Sequence, residues 1–382
     1  MTSLGGLVIT VSSFLCLLLV LVLIKILHKL WWAPARLQKL MASQGIKGPP
    51  YRLIHGNTKD ISNMIKEAMS KPKSLSSSHD VLSVVQPHVH SWTKIYGKSE
   101  CGEPNGDSHI ISFFKLFKTG DEIESEKLEK DVRASILEIV RKREEKVMTG
   151  GEESFGSDFL GLLVKAHHDA NDSQRISVDD LIDDCKTFYV AGQETTNSLL
   201  AWTVLLLAHH TDWQEEARKE VIQMFGKQTP NPDGIAKLKT MSMVINECLR
   251  LYSPVGAVLR KAEREVKLGK LIVPANVELI MSCLSLHHDP LIWGQDAQLF
   301  KPERFAEGVA KASNNNAGAF LPFGVGPRTC VGLNFATIEA KIALSMILQR
   351  YSFTLSPGYV HLPFQLLTNC PLRGVQVMLH SL

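Results

Sequence analysis

The chain has 382 residues, 45% of them hydrophobic, and a formal net charge of +3. That is sequence enough for one large core or two smaller domains, and neither the small charge nor any basic-aromatic alternation argues for nucleic acid. Its seven cysteines, Cys16, Cys101, Cys185, Cys248, Cys283, Cys330 and Cys370, form no C-x-x-C pair. Their scatter fits a reducing compartment and one metal ligand rather than a disulfide framework.

Leu4 to Ile24 is almost uninterrupted apolar sequence. At about 20 residues such a run is long enough to span a bilayer, and it lacks the short apolar region and small-residue cleavage site of a removable signal. Lys25, His28, Lys29, Arg36 and Lys39 follow it, which by the positive-inside rule keeps the bulk of the chain cytosolic and Met1 lumenal. Trp31 and Trp32 suit a membrane interface. Pro34 and Gly48-Pro49-Pro50 are expected to break regular structure, so 1–30 reads as an anchor and 31–60 as a proline-rich hinge and linker.

After Tyr96-Gly97 comes a polar stretch, Lys98 to Ser108, containing Gly and Pro and typical of a loop. An amphipathic helix is expected over about Asp121 to Met148. Ser177 is a plausible N-cap for a long helix running through Leu181, Phe188 and Gly192 to about Ala208. Mid-helix, Ala191-Gly192-Gln193-Glu194-Thr195-Thr196 puts a glycine beside a threonine whose hydroxyl can bond back to the Ala191 carbonyl. A local opening there would make a groove for a small molecule, with Glu194 and Thr195 as a proton-handling pair. Alone, Gly-x-Glu-Thr reads equally well as a poor helix interior with ordinary polar residues.

The next helix, about Lys239 to Tyr252, carries Glu247 and Arg250 on one face. An exposed pair of this spacing is worth only about 0.3–0.5 kcal/mol, and most such pairs carry no information. This one is followed by Lys301-Pro302-Glu303-Arg304-Phe305. Between them lies Arg260, after Pro254 to Leu259, either a surface arginine of the pair Arg260-Lys261 or an anion ligand. Gly and Pro turns mark small β-hairpins around Glu265 to Ile280 and Phe353 to Leu379.

Phe323-Gly324-Val325-Gly326-Pro327-Arg328-Thr329-Cys330-Val331-Gly332 sets one cysteine in a glycine-bracketed loop before an apolar helix expected over Leu333 to Arg350. A thiol ionises near pH 8.5 or so unless a metal, a positive charge or a helix N-terminus helps it, and Cys330 could have all three. A lone cysteine is more often an ordinary core residue beside ordinary turn glycines. Here F-x-x-G-x-R-x-C-x-G is met at five fixed positions, with chance odds on the order of 10⁻⁴ in a chain this long.

The loop resembles the haem-binding loop of the cytochrome P-450 superfamily. The segment at Ala191 to Thr196 looks like that family's acid-alcohol motif, and Glu247, Arg250 and Arg304 look like its buried ion network, tying the loop before Cys330 to the helical core. The resemblance implies a mainly α fold with small β-hairpins over 61–382. It implies haem b (iron protoporphyrin IX) with Cys330 as the iron ligand, Phe323, Gly326 and Gly332 beside the macrocycle, and Arg260 and Arg328 on its propionates. Glu194 and Thr195 would then serve oxygen activation. Val255 to Val258 and Phe364 to Thr368 would line the substrate pocket. The activity implied is insertion of one oxygen atom from O₂ into a hydrophobic small molecule, with electrons from NADPH through an NADPH-cytochrome reductase. The enzyme would be a single-pass protein of the endoplasmic reticulum membrane. Gln44 to Tyr51 and His55-Gly56-Asn57 are similar to the plant clan acting on brassinosteroids, gibberellins and triterpenes.

One departure stands out. Between Lys98 and about Phe114 the family's early sheet and its helix with W-x-x-x-R, which holds propionates, are missing; the fourth residue after Trp92 is Tyr96. An internal deletion near 98–114 of on the order of 100 residues, a domain-sized piece, is expected, leaving the fold incomplete and the helices at 121–148 and 177–208 with uncovered apolar faces. The alternative reading is therefore a catalytically inactive, membrane-anchored remnant with no functional haem site. Ser253, where the clan usually has the first of two prolines, and Asn369 to Leu372 depart in smaller ways.

Overall fold

The computed structural model describes residues 2–52, 56–71, 75, 78–97, 120–151, 154–171 and 173–382; the deletion expected near 98–114 lies outside them, as does His55. Two compact units emerge, one formed by 1–106 with 198–382 and the other by 107–197.

In the first unit the apolar N-terminus is helix α1 (Thr2–Leu27), which passes through one π-helical turn (His28–Trp32) into α2 (Ala33–Ser43) without leaving helical backbone. The expected break at Pro34 is absent. Pro34 follows directly on the π-helical turn, in which the Ala33 N–H donates to the His28 carbonyl five residues back, and the Leu30 carbonyl that a residue-34 N–H would have met accepts from the Tyr51 hydroxyl instead. The chain turns only at Gly45, in left-handed backbone with φ of 88°. It then runs back along α2, where Gln38 donates to the Pro49 carbonyl (2.7 Å) and Tyr51 to that of Leu30 (2.5 Å).

Three further helices follow, α3 (Thr58–Ser70), α4 (Leu82–Val85) and α5 (Pro87–Tyr96). The second unit holds α6 (Gly120–Met148), α7 (Phe159–His167) and the first part of α8 (Val178–His209). Its small core gathers Val140 from α6, Leu163 and Val164 from α7, and Leu181 and Ile182 from α8. Asp158 caps α7 by accepting from the Gly161 N–H (2.7 Å) and is gripped by Arg143 (2.9 Å). Ser177 caps α8 as expected: its hydroxyl accepts from the Asp180 N–H (3.0 Å), and the Asp180 carboxylate accepts in return from the Ser177 N–H (3.1 Å). Apolar side chains remain exposed on both long helices, Ile123, Leu128 and Ile139 on α6 and Phe188, Tyr189 and Val190 on α8.

Back in the first unit come α9 (Thr211–Phe225), α10 (Pro232–Lys237), α11 (Lys239–Leu251), α12 (Cys283–His287), α13 (Pro290–Trp293), α14 (Val309–Ala312) and α15 (Leu333–Leu348). Its core is built where the C-terminal half of α8 meets α9, α11 and α15, around Trp202, Leu205, Val221, Val244, Cys248 and Leu344. Burial of such side chains, at about 1.5–3 kcal/mol each, is what holds these helices together.

Among the described residues all strands pair in twos and antiparallel. Strand β1 (Ala257–Lys261) pairs with β4 (Glu278–Ser282) around the hairpin of β2 (Val266–Leu268) and β3 (Leu271–Val273). Likewise β5 (Tyr351–Leu355) pairs with β8 (Val377–Ser381) around β6 (Pro363–Gln365) and β7 (Asn369–Pro371). The hairpins expected from the turns are there, each enclosed by a longer-range pair. The architecture is mainly α with small β-hairpins, as the sequence suggested.

Candidate functional site

The loop from Leu321 to Gly332 is shaped by its own backbone. The Cys330 N–H donates to the Phe323 carbonyl (2.8 Å), closing the loop, while Gly324 and Gly326 take left-handed backbone with φ of 71° and 79°. That conformation costs other residues about 1–2 kcal/mol or more, so Gly326 is needed for its backbone and not for space: nothing lies within 4 Å of where a Cβ would be. Gly332 is different. It ends the loop as the N-cap of α15, and a Cβ there would sit 3.8 Å from the Cys330 sulfur. Phe323 packs against the main core and anchors the loop.

Cys330 is exposed, whereas Cys248 and Cys283 are fully buried, and burial pushes their thiols up to about 12 and about 11. Those two stay protonated thiols, leaving Cys330 the better placed to bind metal through sulfur. Beside it Val331 and Phe335 are 83% and 70% exposed, and Ile338, one turn on from Phe335, is also uncovered. The Arg328 guanidinium, exposed, makes no hydrogen bond or ion pair among the described residues. Among the described residues Arg260, exposed on β1 opposite Leu279, donates only to the carbonyl of its neighbour Leu259 (2.8 Å).

Upstream, Glu247 and Arg250 are fully buried, not an exposed surface pair, and meet at two points, Nε to Oε2 at 2.8 Å and Nη2 to Oε1 at 2.7 Å. Arg304 joins them: its Nε lies 3.4 Å from Glu247 Oε1, an ionic contact without hydrogen-bond geometry, and its Nη2 pairs with Asp296 at 2.7 Å. Lys301 pairs with the same carboxylate at 2.8 Å, and the two cations, Lys301 foremost, hold Asp296 down to about 2. From this network a continuous path leads to the cysteine loop. Arg250 donates to the His287 carbonyl (2.8 Å), His287 Nε2 accepts from the Leu321 N–H (2.9 Å), and the Leu321 carbonyl accepts from Gly324 (3.2 Å). Sequence reasoning missed Asp296, His287 and Gly324. For Gly324 the signal was available, a glycine in the same tight loop; for the other two there was none.

Glu194 and Thr195 lie on α8 in the second unit. The Thr195 hydroxyl donates to the Ala191 carbonyl at 2.7 Å, the back-bond expected from the sequence. The helix does not open there, however: α8 runs as unbroken α-helix from Val178 to His209, and the space beside Gly192 comes only from its missing side chain. One such bond strains a long helix too little to break its ladder when both flanks are well formed.

A single exposed thiol cannot hold a bare metal ion, and among the described residues no three His, Cys, Asp or Glu side chains gather to do so. The donor set fits a metal whose other ligands come with a prosthetic group. Uncovered apolar residues beside the sulfur and the uncompensated Arg328 guanidinium two residues before it fit one that is apolar and carries carboxylates.

The Cytochrome P450 family profile matches residues 107–370, more than half of the chain. The chain belongs to the cytochrome P450 family. It is by family a haem-thiolate monooxygenase, and a plant relative, cytochrome P450 CYP749A22 of Panax ginseng, is 43% identical over 505 residues, 97% of this chain and 96% of the relative. A match 505 residues long cannot be filled by 382, so at least 123 of its positions, the difference of the two lengths, have no residue of this chain. The 7-deoxyloganic acid hydroxylase of Catharanthus roseus is 47% identical over 261 residues, 67% of this chain and 50% of the relative. Of that protein this P450 spans about half the length. Among solved structures, the cytochrome P450 CYP102L1 superposes with a TM-score of 0.61 over 85% of this chain and 76% of its own, at 22% identity, a likeness of fold.

Proposed function

We propose that this P450 inserts one oxygen atom from O₂ into a hydrophobic small molecule of terpenoid or hormone class, drawing electrons from NADPH through a membrane-bound cytochrome reductase, on the endoplasmic reticulum membrane. The observation that carries this reading is the exposed Cys330, whose backbone N–H donates to the Phe323 carbonyl and closes a loop over the left-handed Gly324 and Gly326, two residues before the Gly332 N-cap of α15. The hydroxylase activity in the name of the Catharanthus roseus relative supports the reaction type.

Haem b, when bound, supplies the oxygen-activating iron. The chain's own part is to present and orient. Cys330 would offer a thiolate to the iron, with Phe323 anchoring the loop in the core, Gly326 giving it its left-handed turn and Gly332 leaving the space beside the sulfur free of a side chain. Arg328 and Arg260 would hold the propionates by charge-assisted hydrogen bonds. Glu194 would carry the proton at its carboxylate and Thr195 would accept it, donation onward requiring the hydroxyl hydrogen to leave the Ala191 carbonyl that holds it. Glu247, Arg250 and Arg304 keep the loop in register through His287 and Leu321.

A second reading is favoured by one specific observation, the 123 or more positions without counterpart, together with the uncovered apolar residues of α6 and α8. On this reading the deficit lies near 98–114, and the chain is a membrane-anchored remnant with no functional haem site. The reduced, carbon-monoxide-treated difference spectrum of the chain in membranes separates the two. A red-shifted Soret band that disappears in Cys330→Ser is expected; a folded protein without the band would leave the remnant reading.

A further inference from the structure

The first acidic residue of the chain is Asp60, while Lys25, Lys29, Arg36, Lys39, Lys47, Arg52 and Lys59 all precede it. Asp60 is itself taken up by Arg52 at 3.2 Å. The basic charge between the apolar helix and α3 is therefore not neutralised from within its own segment.

Helix α2 sorts this charge onto one side. Met41 is buried, Gln38 bonds to the returning chain at Pro49, and Pro34, Ala35 and Leu37 are half-buried, so that face is occupied by the protein itself. Trp32, Arg36, Lys39 and Leu40, at spacings of four, seven and eight residues, are exposed together on the other. The Arg36 guanidinium stacks over the Trp32 ring at 5.6 Å, which extends it along the helix. Neither Arg36 nor Lys39 meets a carboxylate among the described residues.

Because α2 continues α1 through the π turn, the stripe stands at a fixed distance from the apolar span. With Trp32 at the interface and about 1.5 Å of rise per residue, Arg36 lies roughly 6 Å and Lys39 roughly 10 Å beyond it even if the helix stands upright. Both fall within about one Debye length, some 8–10 Å, of a headgroup plane. The far end of α2 is fastened as well. The Gln44 side-chain amide pairs with both backbone groups of Ile272 on strand β3, accepting from its N–H (2.6 Å) and donating to its carbonyl (3.0 Å).

We propose that the Trp32–Arg36–Lys39 stripe of α2 docks on anionic phospholipid headgroups, so that the lipid charge holds the helix, and through Gln44 the β2–β3 hairpin, against the membrane surface. The inference rests on α1 being a membrane anchor.

The test uses the full chain reconstituted into vesicles of neutral phosphatidylcholine or of phosphatidylcholine with about a third phosphatidylserine, a composition in which basic juxtamembrane residues are attracted to the surface. An amine-reactive acetylating reagent is applied, and modification of Lys39 is compared with that of Lys311, an exposed lysine on α14. A several-fold slower modification of Lys39, relative to Lys311, is expected in the anionic vesicles only. High salt should abolish that difference, and Arg36→Gln should weaken it. Equal rates in both vesicles, with the chain resisting alkaline carbonate extraction, overturn the headgroup inference and leave the anchor standing. A chain that carbonate strips from both kinds of vesicle overturns the anchor and the inference together.

Discussion

The Glu247 carboxylate and the Arg250 guanidinium meet at two points, 2.8 and 2.7 Å, with neither side chain reaching solvent. Removing one partner strands a buried charge, which costs about 3–5 kcal/mol. Arg250→Met is therefore expected to lower the denaturant midpoint sharply, and Glu247→Gln to do the same while leaving two cations, Arg250 and Arg304, facing a neutral amide. Urea unfolding of both variants checks this; a shift worth less than about 1 kcal/mol would mean the pair is not buried.

The pH dependence has a definite sign. His287 accepts from the Leu321 N–H through Nε2, so protonation there sets N–H against N–H, and burial lowers its pKa from the ordinary 6.5 to about 3. His288 is lowered to about 4, and His79, His88 and His210 move the same way, again through burial first. The unfolded chain thus takes up protons before the folded one. Stability is full above about pH 6.5 and falls as the pH drops toward 4. The carboxylates whose pKa is shifted, Glu67 and Glu138 from 4.5 and Asp158, Asp180 and Asp296 from 3.8, are all lowered and add their loss in the same direction at the acid end of that window and below it. The urea midpoint should hold between pH 8 and 7 and decline steadily from 6.5; a flat midpoint down to pH 5 would refute the assignment.

Thr195 spends its hydroxyl on the carbonyl of Ala191 within the same helix. Thr195→Ala should therefore change unfolding free energy by no more than about 1 kcal/mol. If the hydroxyl hands on a proton, product formation falls by about 100-fold or more in the same variant. Parallel turnover and unfolding measurements separate a chemical role from a structural one.

In the second unit, a methyl group at Gly161 would overlap the carbonyl oxygens of Phe155 and Gly156. Both are backbone atoms and cannot swing aside. Gly161→Ala is expected to destabilise this unit by about 1–3 kcal/mol and to raise amide hydrogen exchange in Phe159–His167, while exchange in the Trp202 core of the first unit stays unchanged.

The sequence by itself determined what depends on near neighbours. The cap at Ser177, the back-bond from Thr195 to Ala191, the helices at 120–148, 239–251 and 333–348 and the cysteine between turn-forming glycines all follow from spacings of a few residues. Even there the reading slipped at Pro34, because the π-helical turn before it and the Tyr51 hydroxyl on the Leu30 carbonyl take in the proline without ending the helix. Tertiary structure alone decided how deep a charge lies and which distant backbone it meets. Arg250 with the carbonyl of His287, His287 with the Leu321 amide, and Gln44 with Ile272 are separated by 37, 34 and 228 residues. No local pattern encodes such pairs, since each forms only after apolar burial has brought the segments together, and desolvation then turns a weak surface contact into a costly one to break.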